Sequence, residues 1–143
     1  MVLASPIHAM DDDKWFRFFR TCAETLDVKA AFPTMEPLEG GSWCSWTTFC
    51  RLEDVAGYWS GPLPTRDELR GTYLGEGANW SQYFHYSQLC HVVVPRTFGW
   101  QRAAPGQFER GNITQDIDAV AEALRTLGIP HRLTSLVLEI KLY

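Results

Sequence analysis

The chain has 143 residues, enough for one ordinary domain with a core that needs neither metal nor disulfide to hold it. Its hydrophobic share of 45% and charged share of 21% are globular averages and exclude wholesale disorder. A net charge of −4, with no basic stripe, argues against a nucleic-acid binder, which must displace counterions from phosphates.

Residues 1–10 are weakly apolar, broken by Pro6, and read as a flexible tail; residues 11–143 read as a single domain. Asp11, Asp12 and Asp13 then place carboxylates where a helix N-terminus exposes free N–H groups. Trp15, Phe18, Phe19, Cys22 and Leu26 recur at helical spacing, which predicts a helix over 12–26. Residues 27–32 suggest a short strand ended by Pro33, and 33–42, with two prolines and Gly40-Gly41, a loop. The β-formers between Trp43 and Leu52 predict a strand, and Tyr58-Trp59 a shorter one. Thr65 and Glu68 have the spacing of a capping box and predict one helical turn. Strand character returns over 82–94, clearest at Leu89–Val94.

Residues 95–111 show no periodicity and read as a long irregular connection. Asn112, with Gln115 three positions on, looks like the cap of a second helix. That helix would bury Ile113, Ile117, Val120, Ala121, Leu124 and Leu127 and stop at Gly128-Ile129-Pro130. The chain closes on a hairpin, 131–133 and 136–142 around Thr134-Ser135. Its last strand alternates Leu136, Leu138, Ile140 and Leu142 with Val137, Glu139, Lys141 and Tyr143, the mark of a sheet with one buried face. The expected architecture is α+β: a mixed or antiparallel sheet, an N-terminal and a C-terminal helix packed on it, and a C-terminal β-hairpin.

The chemistry-bearing residues are sparse. No catalytic, cofactor-binding or metal-binding residue is assigned. Cys90-His91 pairs a nucleophile with a base on paper, but neighbours on a strand face opposite ways. Cys44 and Cys50, like His85 and His91, stand six apart, roughly 20 Å on a continuous strand and too far to share a metal or a disulfide unless the chain bends, which would leave room for a zinc site. No export signal or membrane span is evident, so the expectation is a cytoplasmic chain with four reduced thiols. A histidine beside a carboxylate in a pocket would favour a small enzyme; coplanar exposed tryptophans would favour a carbohydrate- or small-ligand-binding module.

The six tryptophans cannot all be fully buried, because each is large and its N–H wants a partner. Residues 1–60 carry five Lys/Arg against nine Asp/Glu, so acidity and aromatics share the N-terminal half. Glu36, Glu39, Glu53 and Asp54 flank the aromatic strand that holds Trp43 and Trp46, with Trp59 beyond. Together these seven residues are the expected partner-binding surface. Aromatics supply contact area, and acidic groups speed capture of a basic partner.

Three stretches resemble small bacterial immunity proteins: Lys14-Trp15-Phe16-Arg17-Phe18-Phe19, His91-Val92-Val93-Val94-Pro95, and the C-terminal run from Ala123 through Pro130 and from Leu136 to Tyr143. The resemblance lies at the level of the fold. It implies a protein that neutralises a cognate toxin, here a basic one, by binding it directly, with no nucleic-acid or membrane partner.

Overall fold

Helix α1 (Asp12–Thr25) starts where the Asp11 carboxylate accepts the Lys14 N–H at 2.8 Å. Trp15, Phe18, Phe19 and Cys22 line its buried face. The Leu26 N–H closes the helix on the Cys22 carbonyl. Met10, assigned by sequence to the tail, is instead 8% exposed and belongs to the core. Its side chain has apolar neighbours to bury against, and that outweighs the freedom of a terminus. The structure is a computed structural model that describes residues 10–26, 28, 42–50, 57–75, 80 and 83–143, with the side chains of 100–104 and 109 outside the description. The tail 1–9 and all but Val28 of the strand expected over 27–32 lie outside the described residues.

The strands among the described residues are β1 (Cys44–Thr47), β2 (Trp59–Gly61), β3 (Tyr73–Leu74), β4 (Phe84–His85), β5 (His91–Pro95), β6 (Thr97–Ala104), β7 (Gln107–Thr114), β8 (Arg132–Leu133) and β9 (Val137–Lys141). Five of them form an antiparallel sheet in the order β2-β1-β5-β9-β8. Short 3₁₀ turns cover Arg66–Glu68, with the expected Thr65/Glu68 capping box, and Tyr86–Gln88. Helix α2 (Ile117–Leu127) precedes the β8–β9 hairpin, so the fold is α+β as the sequence implies.

Alternation decides the two faces of the sheet. Val92 and Val94 of β5, Leu138 and Ile140 of β9, and Cys44 and Trp46 of β1 share one cluster with both helices. Ser45, Thr47, His91, Val93 and Glu139 occupy the other face, as the registers Ser45↔Val93, Thr47↔His91 and Val93↔Glu139 require. Aromatic rings fill the edge of the core. Trp46 stacks on Trp80 with centroids 3.7 Å apart, and Phe19 meets Trp80 edge-on at 5.7 Å. The Trp80 indole N–H donates to the Pro62 carbonyl.

Two expectations fail here. The stretch 95–111 is largely not an irregular connection: β6 and β7 pair over eight positions, from Thr97↔Thr114 to Ala104↔Gln107. The two-residue turn between them is Pro105-Gly106, and Gly106 sits at φ +81°, a conformation that suits glycine. Periodicity hid this ribbon because it makes its own sheet, apart from the main one, and β7 carries polar residues at both parities, Gln107 and Glu109 as well as Arg110 and Asn112. Along β7, Phe108, Arg110, Asn112 and Thr114 are all exposed. In the same way Asn112 is a strand residue and caps nothing. Asp116 caps α2, accepting the Ala119 N–H at 3.1 Å. Ile117, Val120, Ala121 and Leu124 are buried as expected, Leu127 is 40% exposed, and the helix ends at Gly128 with φ +70°.

Gln115, taken by sequence for a helix residue, is the bracket at the root of the ribbon. It is 3% exposed. Its amide accepts the Trp43 N–H at 3.0 Å and donates to the carbonyls of Trp43 at 3.0 Å and Pro95 at 2.8 Å. Replacing it with Leu keeps the volume but strands three partly buried backbone groups. The expected cost is roughly 2–4 kcal/mol in denaturant unfolding. A loss under about 1 kcal/mol would mean that those groups find other partners.

Candidate functional site

The surface expected from the sequence is only partly visible. Glu36, Glu39, Glu53 and Asp54 lie outside the described residues. Trp59 is 39% exposed and stays available. Trp43 is half-buried and stacks on Phe98 at 5.9 Å, at the root of the ribbon. Trp46 is a correction. At 3% exposure, sandwiched into the Trp80–Phe84 cluster, it is a core residue and cannot meet a partner. The β1 pleat turns it to the same face as Cys44 and Val92, which the strand's composition alone could not reveal.

The feature that sequence reasoning missed is the β6–β7 ribbon. Eight residues per strand give an arm about 27 Å long. An isolated two-stranded hairpin is marginal in water, so the arm depends on its root. Beside the Gln115 bracket, the Arg96 guanidinium grips both Asp118 carboxylate oxygens, at 2.6 and 3.0 Å, and holds that carboxyl below its usual range. Arg96 also donates through Nε to the Ser135 carbonyl and through its backbone N–H to the Leu136 carbonyl. Near the tip Phe108 is 80% exposed, beside Pro105-Gly106. That dipeptide was the legible signal, a turn between two extended segments.

A second cluster sits on the polar face of the sheet. His91 is 8% exposed, and its Nε2 lies 3.2 Å from a Glu139 carboxylate oxygen. Its Nδ1 lies 2.7 Å from the Tyr58 hydroxyl, which is 3.0 Å from the Tyr143 hydroxyl. Burial pushes the His91 pKa down, against the upward pull of Glu139. The neutral ring then donates from Nε2 to Glu139 and accepts the Tyr58 O–H at Nδ1. Desolvation and the Tyr143 contact push the Tyr58 pKa up, so its hydroxyl keeps its proton. This is a satisfied chain of hydrogen bonds in which each group has a partner.

The sign of its pH dependence follows. With the folded pKa below the ordinary value of about 6.5, the unfolded chain binds a proton at His91 that the folded chain resists. Stability from this site is therefore complete above about pH 6.5 and is lost as pH falls through the folded pKa. Unfolding midpoints measured from pH 7.5 down to 5 should decline, and His91→Gln should flatten that decline. An unchanged slope in the variant would place the titration elsewhere.

Cysteine usage brings another correction. Cys50 and Cys90 form a disulfide, with Cα atoms 5.1 Å apart, while Cys22 and Cys44 are free and buried. The antiparallel register pairs Thr47 with His91, so the chain leaving β1 passes the chain entering β5. Spacing along one strand excluded Cys44–Cys50 and said nothing about a partner across the sheet. Among the described residues no group of three or more His, Cys, Asp or Glu could hold a metal, and no helix is long and apolar enough to cross a membrane. No protein-family model, no curated protein and no solved structure matches the chain.

Proposed function

We propose that the protein acts by binding another protein, as an immunity-type neutraliser of a basic bacterial toxin. The observation that carries the binding role is the β6–β7 arm: fixed at its root by Gln115 and Arg96, paired with no other strand among the described residues, and presenting Phe108 at 80% exposure. An exposed aromatic on a rigid base supplies contact area with few rotors to freeze, and Arg110, Asn112 and Thr114 on the same side supply polar contacts. The exposed Asp11 and Asp13, and the net charge of −4, suit a basic partner.

The test is titration of the chain against the product of the gene adjacent to its own, at low and high salt. Micromolar or tighter binding that weakens at least tenfold in Phe108→Asp is the expected result. Absence of binding at micromolar concentration defeats the toxin reading. Binding indifferent to Phe108→Asp keeps the partner and removes the arm from the interface.

One observation favours a second reading, a small enzyme: His91 stands beside the Glu139 carboxylate, with the Tyr58 hydroxyl on its other nitrogen. Under that reading the chain hydrolyses an activated ester such as p-nitrophenyl acetate above background, and His91→Gln abolishes the excess. A rate equal to background defeats it.

A further inference from the structure

The Cys50–Cys90 bridge lies on the wall of an open cleft of about 530 Å³, with Asp11, Asp12, Asp13 and Ser87 among the other residues that line it. The two cysteines are unequally exposed. Cys50 is half-buried, whereas Cys90 is 3% exposed. The other two thiols, Cys22 and Cys44, are fully buried, and burial pushes both their pKa values up. They are poor nucleophiles and cannot reshuffle the bridge from within. The cleft gives a reductant an approach to the bridge past Asp11, Asp12 and Asp13, the last of them paired with Arg17 at 3.0 Å.

We propose that Cys50–Cys90 is a site of thiol–disulfide exchange, entered at Cys50 and selective for neutral or cationic thiols over anionic ones. A reductant thiolate attacks the sulfur of the more exposed Cys50, and the bond to Cys90 breaks. Cys90 leaves as a thiolate and takes up the proton that the reductant thiol released. With a dithiol, the second thiol attacks its own sulfur in the mixed disulfide. That releases the Cys50 thiol and leaves the reductant oxidised by two electrons, as a cyclic disulfide. Reduction cuts the covalent tie between the chain leaving β1 and the chain entering β5. The aspartates set the selectivity: a negative potential at the cleft raises the local concentration of a cationic thiol and lowers that of an anionic one. This inference is independent of the binding role, and its failure leaves that role untouched.

The experiment uses the folded wild-type chain, with cysteamine, 2-mercaptoethanol and glutathione as probes at equal thiolate concentration. Reactions are quenched in acid, alkylated and mapped by mass spectrometry. We expect every trapped mixed disulfide on Cys50. At low salt, cysteamine should react on the order of tenfold faster than glutathione, with 2-mercaptoethanol between them. Raising the salt to about 1 M, where the screening length is roughly 3 Å, should bring the rates together, and Asp12→Asn should narrow the gap at low salt. Adducts on Cys90, equal rates for the three thiols at low salt, or a bridge that resists millimolar dithiothreitol in the folded protein would each overturn the proposal. So would four free thiols in protein unfolded without reductant.

Discussion

Breaking the Cys50–Cys90 bridge is expected to lower the stability of the domain by about 4 kcal/mol. The bridge closes a loop with a sequence separation of 40. In the chain-entropy account, a loop of that length removes about 4 kcal/mol of freedom from the unfolded ensemble. Cys50 lies just past β1 and Cys90 just before β5, two strands already paired in the sheet, so the folded state needs little adjustment to carry the bond. The measurement is urea unfolding with and without a phosphine reductant, repeated on the Cys50→Ala/Cys90→Ala double variant. With an m-value of about 2 kcal/mol/M, the midpoint should fall by roughly 2 M. The double variant should match the reduced wild type and ignore the reductant. A change under about 1 kcal/mol would mean that the unfolded chain is already restricted in this region.

The next largest effect is expected in the core between α2 and β9. Leu124 and Leu138 are both 0% exposed and belong to the same cluster, one on the helix and one on the sheet face below it. Truncating either to Ala should cost about 2–5 kcal/mol, made up of lost transfer energy and a residual cavity. Their elements pack against each other, so the double variant should depart from the sum of the single losses by about 0.5 kcal/mol or more. Denaturant unfolding of the three variants checks both statements. A cost near zero at either position would show that the surrounding side chains collapse into the gap.

What could be read from residues alone was the part of the fold written in local periodicity. The 3.6-residue repeat of Trp15, Phe18, Phe19 and Cys22 located α1, and that of Ile117, Val120, Ala121 and Leu124 located α2. Gly128 marked the helix stop, and the alternation of Leu138 and Ile140 with Glu139 and Lys141 marked β9. The β6–β7 ribbon escaped because β7 carries polar residues at both parities, Gln107 and Glu109 as well as Arg110 and Asn112, and so shows no hydrophobic alternation; its cue was the Pro105-Gly106 turn. The expected binding surface met the same limit. Whether Trp46 or Trp59 faces water depends on the pleat and on which neighbour covers it. The structure buries the first and exposes the second, although they pair directly across β1 and β2.

The sequence by itself determined that this is an α+β chain with two amphipathic helices and a sheet buried on one face, because side-chain period and burial are coupled within a single element. Tertiary structure alone decided the pairings that join distant residues: Cys50 with Cys90, His91 with Glu139 and Tyr58, Arg96 with Asp118, and Gln115 with Trp43. Each depends on strand register and on which elements meet in space. A shift of one residue in register would send every one of the strand side chains to the opposite face. That is why the β6–β7 ribbon and the bridged cleft were set by the fold and not by any motif.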